Sequence, residues 1–259
     1  MNPVEQFENE VQENITRLGA DKALQNLSIK WMRDIAQYKY SYNFRCLGRP
    51  IIQVPQDMIA LQEIIWQVRP DLIVETGIAH GGSLIMSASM LSMIDYCDAV
   101  AAGTVLDPLA SKRRVVGLDI DIREHNRTAI EAHPLAHKIE MIQGSSIAPK
   151  VISEVHNRAK NYERILVCLD SNHTHEHVLA ELNAYASLVS VGSYCCVFDT
   201  LIEDMPAEMF PDRPWGPGDN PKTAVHEFLR THSEFEIDTS IQNKLLITVA
   251  PDGYLHRLR

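Results

Sequence analysis

The chain has 259 residues, with 24 Lys and Arg against 34 Asp and Glu and a formal charge of -10. At 45% hydrophobic and 22% charged, it has the composition of a folded globular chain, which excludes disorder as its main state. The acidic excess opposes any general grip on phosphate backbones or anionic lipid, so no nucleic acid partner is expected.

The start, MNPVEQFENEVQENITRLG, has neither a basic end nor an apolar stretch. Nowhere do about eighteen uninterrupted apolar residues occur, so no membrane span is expected. The first seventy residues read as helical, including DMIALQEIIWQV at 57–68, and are expected to form a cap or an oligomer contact. A homo-oligomer is the expected assembly. The five cysteines, Cys46, Cys97, Cys168, Cys195 and Cys196, are odd in number and form no CxxC pair. That pattern predicts a reducing compartment and a cytoplasmic protein.

From Leu72 onward short apolar runs alternate with segments of helical period. The runs are 72–76 (LIVET), 114–119 (RVVGLD), 139–143 (IEMIQ), 165–170 (ILVCLD) and 194–199 (YCCVFD). Between them 82–96, 124–132, 149–159 and 174–188 can each carry an apolar helical stripe. A loop rich in Pro and Gly follows (206–221), then a helix at 222–231 and two strand-like runs, 235–239 and 244–249; PDGY at 251–254 reads as a turn. The predicted fold is α/β: a Rossmann-like, seven-stranded, mostly parallel sheet with an antiparallel edge strand, helices on both faces and an N-terminal helical extension.

In such a sheet ligands gather at the carboxyl ends of the strands. The first strand runs into VETGIAHGGSL, where Gly77, Gly81 and Gly82 let backbone approach a ligand and Ser83 lies in the first helical turn. The spacing is not GxGxxG, and a tight turn alone is the plainer reading. Asp119, ending the second strand, can accept two hydrogen bonds from a ribose diol, while Asp121 is assigned the cap of the next helix. The third strand enters QGSS, where Gly144 and Ser145 could meet an adenine edge or merely cap a helix. With Glu75 before the glycine turn, this layout resembles that of class I S-adenosylmethionine methyltransferases.

The fourth strand ends at Asp170, with His173 about one turn beyond, and the fifth at Asp199. Two carboxylates at neighbouring strand ends repel unless protonated or bound to a metal, and hard oxygen ligands suit Mg²⁺. His173 is then the natural base. The segment HTHEH also raises a metal-hydrolase reading but is one residue short of HxHxDH; as a helix start it would put His173 and His177 on one face, and His175 elsewhere. His175 and His177 are read as surface or supporting residues.

At DSNHTHEHVLAELNAYASLVSVGSYCCVFDT and WGPGDNPKTAVHEFL the chain resembles the cephalosporin hydroxylase family, S-adenosylmethionine-dependent O-methyltransferases similar to the rhamnosyl O-methyltransferases. The resemblance implies Mg²⁺-assisted methyl transfer to a small-molecule or glycan acceptor with a free hydroxyl. It places the methyltransferase domain at 56–259, behind an extension at 1–55. Carried over, Asp170 and Asp199 fall on metal-ligand positions, Asp170 also beside the cofactor, and His173 on the base. Some members have two adjacent acids where this chain has Phe198 and Asp199, so the resemblance leaves one protein ligand missing; Glu203, Asp204 or water could take its place, or the metal could bind weakly or not at all. The loop 212–225 is expected over the site, with Trp215 as an apolar wall and Lys222 opening the last helix. The alternatives are a non-haem iron hydroxylase using His173, His175 and an acid, or a non-catalytic cofactor-binding relative.

Overall fold

The computed structural model describes residues 2–259. The chain opens with α1 (Pro3–Ala20) and α2 (Lys22–Ala36), each started by a side-chain cap, from Asn2 and Asp21. A hairpin of β1 (Phe44–Cys46) and β2 (Arg49–Ile51) follows, turning at Leu47 and Gly48. Both turn residues have positive φ, 45° and 91°, which matches the twist of a two-residue hairpin. The hairpin interrupts the stretch up to residue 70 that the sequence pattern predicts as helical, so the extension at 1–55 is α-helical only up to Ala36 and is closed by two short strands. Next comes α3 (Pro55–Val68), then β3 (Leu72–Thr76), α4 (Gly82–Ala102), β4 (Arg114–Asp119), α5 (Glu124–Glu131), β5 (Ile139–Gln143), α6 (Pro149–Ala159), β6 (Ile165–Leu169), α7 (His175–Tyr185) and β7 (Tyr194–Val197). The last elements are α8 (Pro221–Phe228), β8 (Phe235–Ile237), α9 (Thr239–Leu245) and β9 (Tyr254–Arg257).

The seven-stranded sheet has the order β5-β4-β3-β6-β7-β9-β8. All pairs from β5 to β7 are parallel, and β9 is antiparallel to both β7 and the edge strand β8. β3 is buried throughout, because successive side chains serve two cores. Ile73 packs in the layer with α3, α4 and α5, whereas Leu72 and Val74 pack with α6, α7 and α8. The order reverses at β3 and β6, opening a crevice between their carboxyl ends.

One expected strand is absent. Residues 244–249 finish α9 and continue as loop, and the closing strand is Tyr254–Arg257. Asp238 caps α9 by accepting from Ser240 N at 3.1 Å, and Leu245, Ile247 and Val249 serve packing against the sheet and the N-terminal segments instead of a ladder. A turn does lie at Pro251 and Asp252, the latter at φ 64°, but Tyr254 already opens the closing strand. Among the described helices, α4 is long and apolar enough to cross a bilayer; here Leu84, Ile85, Leu91 and Ile94 are fully buried in the protein.

Candidate functional site

Gly77 and Asp170 leave β3 and β6 side by side. Asp170 N donates to Thr76 O at 3.0 Å, and a Cβ on Gly77 would stand 2.0 Å from the Asp170 carbonyl oxygen. With φ of 89° as well, position 77 admits only glycine without moving Asp170. Gly82 is crowded in the same way, by the Pro50 carbonyl of the hairpin. Glu75 is buried, accepts from Ser83 Oγ and lacks a cationic partner among the described residues. Burial pushes its carboxyl up to about 7, with the Ser83 bond acting the other way.

Asp119 braces the glycine turn. Its Oδ2 accepts from Ile78 N at 2.9 Å and Ala79 N at 3.2 Å, and its Oδ1 accepts from Asp121 N at 3.0 Å. Each oxygen keeps acceptor capacity. Asp121 does not cap α5: the capping position is Arg123, without a side-chain bond, and Asp121 is an exposed neighbour of that arginine at 3.7 Å. Gly144 extends from β5, its N–H donating to Asp119 O at 2.8 Å, with Ser145 beside it.

Asp170, His173 and Asp199 converge, with one ligand atom from each within 4.8 Å of the others. His173 Nε2 lies 3.2 Å from Asp199 Oδ2, and the imidazole stands perpendicular to the Trp215 ring with ring centres 4.8 Å apart. Asp199 reaches in because its backbone is left-handed, φ 57°, at the turn into the short 3₁₀ helix Thr200–Asp204. Aspartate tolerates that conformation better than most side chains. The Asp170 carboxyl is held well above the usual carboxylate range, first by burial and then by Asp199, Glu75, Glu181 and Asp57. Two carboxylates, one imidazole and unneutralised negative charge form a donor set that fits a divalent cation.

The other histidines lie elsewhere. His175 Nδ1 meets Thr223 Oγ1 at 2.8 Å and its Nε2 meets Glu227 at 3.2 Å, which takes it out of any two-histidine iron site. His177 does not share a face with His173, because α7 starts only at His175. Its Nε2 instead bridges Ser146 Oγ at 3.0 Å and Ser171 Oγ at 3.3 Å, joining the loops after β5 and β6. Glu203 and Asp204 do not substitute for the second acid at Phe198. Glu203 accepts from Gly218 N at 2.7 Å, and Asp204 pairs with Lys222 at 2.8 Å. Phe198 is 6% exposed and belongs to the core.

One cavity of about 970 Å³ contains Glu75, Gly77, Gly82, Ser83, Asp170, His173 and Asp199. Asp119, Gly81, Gly144 and Ser145 stand outside its lining, along the neighbouring strand ends. The opposite wall comes from the end of α2, the hairpin and the 201–215 segment, including Trp215. The sequence pattern also missed Asp57. It sits fully buried on α3, lines the cavity, and accepts from Thr248 Oγ1 at 2.5 Å, Tyr254 OH at 2.6 Å and Val249 N at 2.8 Å. Val249 O in turn receives Leu201 N at 3.1 Å, just after Asp199. The only signal was an acid within an otherwise apolar helical stripe.

The sequence model of the family described as "Rhamnosyl O-methyltransferase/CmcI" matches residues 38–258. The rhamnosyl O-methyltransferase of Mycobacterium tuberculosis is 27% identical over 207 residues, 78% of this chain and 73% of that protein. That of Mycobacterium leprae is 25% identical over 212 residues, 82% of each. Among solved structures, a Mg-SAM form of CmcI superposes with a TM-score of 0.54 at 16% identity, covering 84% of this chain and 78% of that one. An apo TDP-rhamnose 3'-O-methyltransferase of calicheamicin biosynthesis gives 0.51 at 15% identity, covering 99% and 95%. Both structural likenesses concern the fold.

Proposed function

The chain belongs to the rhamnosyl O-methyltransferase/CmcI family, and from that premise we propose that it methylates a hydroxyl of a sugar or other polar natural product, assisted by Mg²⁺ and by His173 as base. The family makes it an S-adenosylmethionine-dependent O-methyltransferase; the acceptor class, the cation and the base are our reading. The observation that carries it is the convergence of Asp170, His173 and Asp199 in the cavity that also holds Glu75 and the glycine turn.

S-adenosylmethionine supplies an activated methyl group. In this reading the buried Glu75 carboxylate faces its ammonium, Asp119 its ribose, Gly144 and Ser145 its adenine edge, and the turn of Gly77, Gly81, Gly82 and Ser83 allows close approach. Asp170 and Asp199 would hold the cation, which lowers the pKa of an acceptor hydroxyl beside it. A neutral His173 donating from Nε2 to Asp199 keeps Nδ1 free to take the proton. Trp215 walls the ring and keeps water off, and the chain's main task is to align donor and acceptor.

The extension at 1–55 is proposed as part of this site, since the end of α2 and the hairpin form one wall of its cavity. Association into a homo-oligomer is proposed through α1, whose Val4 and Phe7 are exposed, and a cytoplasmic setting accords with five free thiols. The decisive test is calorimetry with S-adenosylhomocysteine, followed by mass spectrometry of a rhamnoside panel incubated with S-adenosylmethionine and Mg²⁺. Cofactor binding and a methylene-sized mass gain are expected; a protein that binds no S-adenosylhomocysteine, or methylates no hydroxylated acceptor, removes the proposal.

A further inference from the structure

We infer that the acceptor carries a phosphate, in particular a diphosphate, next to the sugar it presents, and that Arg213 and Lys39, flanked by Arg33, hold it at the rim of the cavity. The inference rests on the O-methyltransferase reading and adds to it the chemical class of the acceptor.

The cavity is electrically divided. Asp57, Glu75, Asp170 and Asp199 lie at its buried or half-buried end, whereas its Lys and Arg residues, Arg33, Lys39 and Arg213, are all exposed. A single carboxylate, Glu208, shares their rim. The three cations come from two distant stretches, the end of α2 and the loop before Trp215. In a chain of net charge -10, cations have acids to choose from, yet Lys39 and Arg213 have no ion pair and no side-chain hydrogen bond among the described residues. Arg33 approaches only Asp34, at 3.8 Å.

Arg213 is also placed relative to the chemistry. Its guanidinium lies over the Trp215 ring, 5.2 Å from its centre, and the same ring stands perpendicular to the His173 imidazole with 4.8 Å between centres. Base and guanidinium therefore lie against the same aromatic ring, and a pyranose is about as wide as such a ring. A hydroxyl at His173 sets the phosphate on the far side of the same sugar within reach of Arg213. The guanidinium is held over the ring by its cation–π contact, and its unused donors form a fork that matches phosphate oxygens.

The polarity also orients the acceptor. A diphosphate entering first would meet four carboxylates, while a neutral sugar entering first leaves the anion among the cations. Nucleotide-linked and lipid-linked sugars share this diphosphate. The apolar side chains of Met205, Met209 and Phe210 beside the rim exclude water and strengthen the charge contact.

The test is calorimetry on the full chain loaded with S-adenosylhomocysteine, in chelator, with inorganic pyrophosphate, uridine diphosphate and geranyl diphosphate as probes. Pyrophosphate is expected to bind saturably and to weaken at least tenfold in the double variant Lys39→Gln, Arg213→Gln. That variant should bind S-adenosylhomocysteine as the wild type does, showing an intact fold. Tighter binding of uridine diphosphate identifies a nucleotide source, and tighter binding of geranyl diphosphate a lipid source. Absence of all three from a protein that does bind S-adenosylhomocysteine, or equal affinity in the double variant, overturns the inference alone. Failure of S-adenosylhomocysteine itself to bind overturns the methyltransferase reading beneath it.

Discussion

The His173 imidazole is fixed by Asp199, whose Oδ2 lies 3.2 Å from Nε2; the residues come from different crossovers, 26 positions apart in the chain. The pair gives His173 one orientation and one preferred tautomer. Replacing His173 with Ala should lower turnover about 10²–10⁴-fold, the usual scale for a positioned base. Affinity for S-adenosylhomocysteine should stay within about twofold, since the ring lies beyond the glycine turn. A variant that keeps wild-type turnover excludes His173 as the base.

Asp170 should report the cation directly. The wild type is expected to melt higher with Mg²⁺ than in chelator, by about 2.7 kcal/mol when the ion is at a hundred times its dissociation constant. Asp170→Asn should melt higher than the wild type in chelator, because it replaces a carboxyl whose charged form is disfavoured first by burial and then by the facing Asp199, Glu75, Glu181 and Asp57. It should gain nothing from Mg²⁺. An equal Mg²⁺ response in both proteins refutes the ligand assignment.

Glu75 makes the cofactor-free protein sensitive to pH. Its folded pKa is raised, to about 7 from 4.5, so the folded state holds a proton that the unfolded chain has already released. Stability therefore falls as pH climbs from about 4.5 to 7, by on the order of 3 kcal/mol at most. Glu75→Gln should flatten this slope in chemical denaturation and bind S-adenosylhomocysteine at least tenfold more weakly. In the wild type that binding should strengthen between pH 6 and 8, as the carboxylate ionises against the ligand's ammonium. Parallel pH profiles for the two proteins would count against this role.

Asp57 clips α3 to the C-terminal segment. Asp57→Ala strands the Thr248 and Tyr254 hydroxyls and the Val249 N–H inside the protein, an expected loss of about 3 kcal/mol or more. Asp57→Asn retains an acceptor and should lose clearly less. Urea unfolding distinguishes them, and equal losses would mean that the hydrogen bonds are not what holds the segment.

The central sheet was legible in the chain because its strands are buried on both faces and appear as continuous branched apolar runs, such as LIVET and ILVCL. The acids at the ends of those runs were legible for the same reason, since a charge closing a buried strand must emerge at the crevice. Local pattern failed where long-range packing overrode it. Residues 244–249 have strand-like composition but pack against α3 and the sheet, and the Leu47–Gly48 turn was too short to announce itself. Composition alone could not indicate that HTHEH sends three histidines to three different partners, because the start of α7 depends on how the loop from β6 meets α8. Nor could it bring Asp57 beneath Tyr254, 197 residues away, or gather Lys39 and Arg213 around one cavity. Burial and charge are written residue by residue, but which charges face each other is set by how the crossovers stack, and that is a property of the folded chain.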